Sequence, residues 1–202
     1  MKKLIFITSI ILFANNVFAK AIFVGERHAF KTIQQALLNV EDGDSVLVDA
    51  GHYHEKNIII DKTIFLIGLN HPVLDGDNKY EIISIKANGA VVDGFKLIRS
   101  GISSIEDYAG IKIYGCRDVI VRNNILEETF FGIYSQYGTN CIIENNKLTA
   151  YSKVEQESGN GIHCWKSDSL RILGNTITGH RDGIYFEFVK NSIIWRNVAE
   201  NN

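Results

Sequence analysis

Four Gly-Ile pairs begin at Gly110, Gly132, Gly161 and Gly183, at spacings of 22, 29 and 22 residues, and an Asn follows each Gly by 14 positions, at Asn124, Asn146, Asn175 and Asn197. A repeat of this length constrains the fold before any single motif does, because each unit buries its apolar face only against its neighbours. Three apolar columns accompany the glycines. Ile111, Ile133, Ile162 and Ile184 lie one residue on; Val121, Ile143, Ile172 and Ile194 lie eleven on; Leu126, Leu148, Ile177 and Ala199 lie sixteen on. Three short apolar segments per unit, joined by Gly- and Asn-rich corners, predict a coil of three strands with alternate side chains inside and outside. A helical solenoid needs runs of about ten or more residues at 3.6 spacing, and this stretch has none. The expected fold is all-β: a right-handed parallel β-helix of about 22-residue coils. The Asn column is expected to be structural, since Asn tolerates left-handed backbone at corners and stacked amides form hydrogen-bonded ladders.

Earlier residues fit the same plan less regularly. Segments 46–48, 57–60, 63–67, 81–85 and 90–97 read as strands of the first coils, with Gly94 in a corner. Before them Phe30, Ile33, Ala36, Leu37 and Val40 recur at helical spacing, which predicts a short amphipathic helix capping the N-terminal end of the core. The sequence stops at Asn202, within the fourth regular coil, and the solenoid is read as truncated at its C-terminal end.

Residues 1–19 stand apart. Lys2 and Lys3 precede an apolar run from Leu4 to Phe13, followed by small residues at Val17 and Ala19. This is the layout of a secretory signal peptide, cleaved after Ala19 or Ala21. The run is shorter than the roughly 18 apolar residues that span a bilayer, so an exported β-helix domain over 20–202 with no span of its own is expected. The 21 Lys and Arg against 23 Asp and Glu give a formal charge of −2, which offers no basic field to nucleic acid.

Two sets of residues carry family resemblances. Ile33-Gln34-Gln35-Ala36, Gly43-Asp44-Ser45-Val46, Gly51-His52-Tyr53 and Leu66-Ile67-Gly68 resemble exported β-helix proteins of the carbohydrate-binding and sugar-hydrolase type. GNGIHCW at 159–165, and above all RDGIYFEF at 181–188 with Arg181, Asp182 and Gly183 at its head, resemble the NosD family of nitrous oxide reductase maturation proteins. That resemblance implies a periplasmic, non-enzymatic accessory protein. Its partners would be the ATPase and membrane subunits of an ABC-type transporter and nitrous oxide reductase, whose copper centres the system assembles. Family members usually continue through several more coils.

Copper draws on Cys, Met and His, and no Met follows Met1. Cys116, Cys141 and Cys164 occupy three different coil positions, so neither a thiolate cluster nor a disulfide is expected, and Cys141 and Cys164 read as buried. The candidate copper ligands are His52 and His54, two apart on one face of an extended segment, and His163 and His180. Tyr114, Tyr134, Trp165, Tyr185 and Glu187 read as an outward-facing binding surface for a sugar or a partner protein. Rungs about 4.8 Å apart align these side chains in columns, with Lys112, Gln136 and His163 among them. Two long connections carrying Glu106, Asp107 and Tyr108, then Tyr151, Glu155 and Glu157, are expected to wall a shallow acidic-rimmed cleft. The competing function is binding or cleavage of polysaccharide, with Arg181, Asp182, Glu155 and Glu187 as the charged groups. No nucleophile motif, phosphate loop or zinc spacing accompanies them.

Overall fold

The computed structural model describes residues 19–103, 105–151 and 159–202, and the proposed signal peptide lies almost wholly outside them. The strands form three parallel sheets, visited in the same order on every turn from β2 onward. The first holds β1 (Ala21–Val24), β2 (Ser45–Val48), β5 (Phe65–Gly68), β8 (Val91–Asp93), β11 (Ile120–Arg122), β14 (Ile142–Glu144), β17 (Arg171–Leu173) and β20 (Ile193–Trp195). The second holds β3 (His52–Tyr53), β6 (Val73–Asp75), β9 (Lys96–Ile98), β12 (Ile125–Glu127), β15 (Lys147–Thr149), β18 (Thr176–Thr178) and β21 (Val198–Glu200). The third holds β4 (Ile58–Ile60), β7 (Ile83–Ile85), β10 (Ala109–Tyr114), β13 (Phe131–Gln136), β16 (Ile162–Trp165) and β19 (Ile184–Glu187).

The apolar columns stack in register and extend back into the irregular coils. Ile58, Ile83, Ile111, Ile133, Ile162 and Ile184 share one level of the third sheet. Val46, Leu66, Val92, Val121, Ile143, Ile172 and Ile194 share one level of the first. Leu74, Leu97, Leu126, Leu148, Ile177 and Ala199 complete the core from the second. Each buried Ile, Leu or Val here stabilises the coil by about 1.5–3 kcal/mol. The repeated Gly and the third column are one constraint. A Cβ at Gly110 would fall 2.6 Å from Leu126, and one at Gly183 would fall 2.7 Å from Ala199.

The four Asn stand in a single corner between the first and second sheets. Asn146 Oδ1 accepts from the backbone N–H (3.0 Å) and the Nδ2 (3.1 Å) of Asn124. Its own Nδ2 donates to Val121 O and Asn175 Oδ1, both at 3.0 Å. Asn175 binds Asn197 Oδ1 in the same way, at 2.8 and 2.9 Å. The left-handed residue at each corner is not the ladder Asn itself but the one before it: Asn123 (φ +55°), Asn145 (+54°), Gly174 (+62°) and Arg196 (+55°). That residue turns the chain, and the Asn then closes the corner with its amide.

At the other end the helix is brief. α1 (Ile33–Leu37) has Thr32 as N-cap, whose Oγ1 accepts from Gln35 N at 3.2 Å. Phe30 and Val40 fall outside it. Ile33 and Ala36 are buried, and the helix packs on β1, β2 and β4. In the last coil Ile193, Ile194, Trp195 and Val198 are about half exposed, because β20 and β21 pair on one side only among the described residues.

Asn146→Ala should therefore cost far more than a surface change. It strands the buried N–H of Asn124 and the carbonyl of Val121, and each orphaned group costs about 1–3 kcal/mol. Chemical unfolding should show a loss of about 2–4 kcal/mol, with a smaller loss for Asn197→Ala at the partly exposed last rung. Equal effects at the two positions would contradict a cooperative ladder.

Candidate functional site

The outward side chains of the third sheet form two columns. Ser84, Lys112, Tyr134, His163 and Tyr185 align in one; Tyr114, Gln136, Trp165 and Glu187 align in the other. Strand alternation predicts an exposed face, and here the structure differs. Lys112, Tyr134 and His163 are only 6%, 4% and 8% exposed. The cause is a second, smaller apolar cluster outside the coil, in which Ala109, Phe131 and Tyr134 pack with Phe130 and Trp165. Phe131 sets its edge against the His163 ring, with centroids 5.2 Å apart.

One end of this face is a charged network. Glu81 is buried and accepts from the Tyr114 hydroxyl with both oxygens at 3.1 Å, and from the Ser84 hydroxyl. Lys112 Nζ lies 4.9 Å and 4.7 Å from the ring centres of Tyr114 and Tyr134 and donates to Asp107 O at 3.2 Å. Ring faces attract a desolvated cation in this position. Burial pushes the Glu81 carboxyl up, against the opposing pull of the Ser84 hydrogen bond and the Lys112 charge. The Tyr114 hydroxyl is driven up by burial and by Glu81, so it stays a donor.

The other end is built around His163. Arg181 Nη2 donates to Asn160 Oδ1 at 3.1 Å, which identifies the Asn160 nitrogen as the donor to His163 Nδ1 at 2.9 Å. With Nδ1 accepting, the ring proton sits on Nε2. Nε2 is buried, has no hydrogen-bond partner among the described residues, and points toward Glu187 Oε2 at 4.0 Å. Tyr134 and Tyr185 flank the ring at 4.6 and 5.3 Å. Burial lowers the His163 pKa, with Glu187 only partly opposing it, so the ring is neutral near pH 7. Chemically this is a neutral ring fixed between aromatic faces, with its Nε2–H covered from solvent. In this tautomer the ring's one lone pair, on Nδ1, is taken up by the Asn160 amide.

The remaining candidates are dispersed. Arg181 spans Asn160 and Asp182 (3.3 Å), so the head of the 181–188 motif positions His163 from the adjoining coil. His180 is 2% exposed, neither ring nitrogen has a partner among the described residues, and burial pushes its pKa down to about 4. All three Cys are free and buried, Cys116 included; burial raises their thiols, that of Cys141 to about 11. Such thiols are poor copper ligands, since the thiolate is what binds. His52 and His54 lie on the second sheet, with their rings stacked 4.5 Å apart and facing Asp75 and Asp77. Glu155 and Glu157 lie outside the described residues. Sequence reasoning missed Glu81 and Asn160; a carboxylate three residues before an outward Ser was the available sign of the first, and its burial could not be read from the sequence.

Coils, ladder and covered face define the class. Residues 81–202 match the family described as the right-handed β-helix region, and the chain belongs to that family. Within it, the chain is similar to the Pseudomonas aeruginosa protein named "Probable ABC transporter binding protein NosD", with 26% identity over 144 residues, covering 70% of this chain and 34% of that one. It thus spans about a third of that relative's length. A Parabacteroides merdae protein provisionally assigned as a glycosyl hydrolase aligns with TM-score 0.49 and 13% identity, covering 83% of this chain and 88% of that one. Pectin methylesterase from Aspergillus niger aligns with TM-score 0.41 and 12% identity, covering 89% and 85%. No helix among the described residues is long and apolar enough to cross a membrane.

The buried His180 makes stability depend on pH with a definite sign. Its folded pKa of about 4 lies below the unfolded value of about 6.5, so the unfolded chain takes up the proton first as pH falls. Stability attributable to this ring is complete above pH 6.5, is lost between about 6.5 and 4, and is constant below. The loss amounts to about 3 kcal/mol. Denaturation curves at pH 7 and pH 4.5 should show wild type losing more stability than His180→Gln; parallel losses would refute the assignment.

Proposed function

We propose that this chain is an exported, non-enzymatic accessory protein that works beside an ABC-type transporter in the periplasm while copper is supplied to nitrous oxide reductase. The observation that carries the proposal is the 144-residue similarity to a protein named as an ABC transporter binding protein. The resemblance of residues 181–188 to the NosD family points the same way. In this reading residues 1–19 direct export, α1 closes the N-terminal end of the core, and copper is cargo rather than a resident cofactor. The structure supports a docking role more readily than catalysis. Ser84 is buried and bonded to Glu81 and Asn57, while the partly exposed rings of Trp165 and Tyr185 suit a partner's apolar groups.

A second reading, saccharide binding, is favoured by one feature of the same face: the partly exposed rings of Trp165 and Tyr185, aromatic surface of the kind that packs on a sugar. Deletion of the gene separates the two. Under the first reading, nitrous oxide reductase is still exported but carries less than its full copper complement, and the protein co-purifies with the transporter's membrane subunit. Full copper loading in the deletion strain would overturn it, and retention of the purified protein on polysaccharide would favour the second.

A further inference from the structure

Outside the third-sheet face, the second sheet begins with an arrangement that no part of the proposed function uses. β3 pairs with β6 so that His52 lies opposite Val73 and Tyr53 opposite Leu74. Continuing that register by one residue brings His54 level with Asp75. Leu74 points into the core and is buried, so alternation sends both His and Asp75 to the outer face. There the imidazoles lie nearly parallel, 4.5 Å apart and 11° between planes. One nitrogen of each ring and one oxygen of Asp75 all lie within 4.8 Å of one another.

We propose that His52, His54 and Asp75 form an exchangeable site for a divalent transition-metal ion of the copper(II) or zinc type. His52 Nε2 and Asp75 Oδ2 are 3.1 Å apart, a separation at which both reach one ion at the usual 2.0–2.2 Å. The ion replaces the proton they share. His54 turns its Nδ1 to Asp77 Oδ1 at 3.1 Å. A carboxylate that takes one ring N–H fixes the tautomer and leaves the Nε2 lone pair for metal, which is how metal-bound His is commonly oriented. Asp75 is itself preset. Its side chain is fully buried, it accepts from Asp77 N at 2.9 Å and Arg99 Nε at 3.0 Å, and Arg99 Nη2 bonds its other oxygen.

The donor set selects the ion. Two imidazoles and one carboxylate suit Zn²⁺, Ni²⁺ and Cu²⁺, with Cu²⁺ the tightest by the ordinary affinity order. Mg²⁺ and Ca²⁺ demand shells of oxygen, and Cu⁺ prefers sulfur, which this cluster lacks. The His52 and His54 side chains are 49% and 53% exposed, so the open coordination positions face water. The Arg99 charge beside Asp75 keeps the affinity moderate. Such a site loads and releases its ion instead of locking it into the fold. The assignment rests on this geometry and not on the transporter reading.

Isothermal titration calorimetry of the untagged full chain with ZnCl₂ and CuSO₄ tests it. One ion per chain should bind, with no heat from MgCl₂. His52→Ala and His54→Ala should each weaken binding at least about tenfold, and Asp77→Asn by about tenfold through loss of ring orientation. His163→Gln should bind as wild type. Both His52 and His54 are half exposed, so the variants should keep the wild-type circular dichroism. X-ray absorption of the Zn²⁺ form should show only nitrogen and oxygen neighbours, with two imidazoles. No binding of either ion, affinity unchanged in both His variants, or sulfur in the shell would overturn the site. None of these outcomes alters copper loading in the deletion strain, so this proposal and the transporter reading fail separately.

Discussion

Each of the four regular coils of this molecule is located by one asparagine amide. Parallel strands of three residues supply few hydrogen bonds of their own, and a three-residue segment is free to slip by one or two positions against its neighbour. The ladder from Asn124 to Asn197 removes that freedom. The Oδ1 of Asn146, Asn175 and Asn197 each takes two N–H groups from the coil before, that of Asn124 takes the Phe95 N–H, and each Nδ2 returns a bond to a backbone carbonyl. With one corner held, the Gly column admits the Leu and Ile of the second sheet, and the three apolar columns close over one another. A buried polar network of this kind is favourable only when every member is satisfied, and the interior rungs meet that condition.

The fixed register also determines what lies outside. Because Lys112, Tyr134, His163 and Tyr185 are held in one line, a covering group on one rung reaches the side chains of the next. Phe131 does this, lying against both Tyr134 and His163. The resulting partial exclusion of water leaves Lys112 paired to ring faces and keeps His163 neutral and covered, so the face offers aromatic surface at Trp165 and Tyr185. That chemistry suits recognition. On the second sheet the same rule, one rung facing the next, joins His52 and His54 to Asp75.

Legibility followed the regularity of the coils. From Gly110 onward the columns and the ladder positions could be counted directly, since each unit repeats the same spacing of Gly, apolar residue and Asn. Before that point the coils lack the Gly-Asn marks. β1, β3 and β6 are strands of two to four residues with no period long enough to declare itself, and Pro72 directly before β6 disguises it further. Missing β6 meant that Asp75 could not be set beside His54. The burial of Lys112, Tyr134 and His163 was hidden for another reason. Alternation tells which side of a strand a residue faces, but the cover comes from Phe130 and Phe131, which only the three-dimensional path brings across. The helical spacing from Phe30 to Val40 yielded a single turn, because Phe30 instead bridges to Val24 as extended chain.

Amide hydrogen exchange, resolved by residue, tests the account of the ladder most directly. The backbone N–H groups of Asn124, Asn146 and Asn175 donate to the next side-chain carbonyl in a buried corner, so they should be among the slowest to exchange in the molecule. Protection should fall across β20 and β21, where pairing is one-sided. Rapid exchange at Asn124 and Asn146, with protection confined to the strands, would contradict the claim that this corner sets the register of the coils.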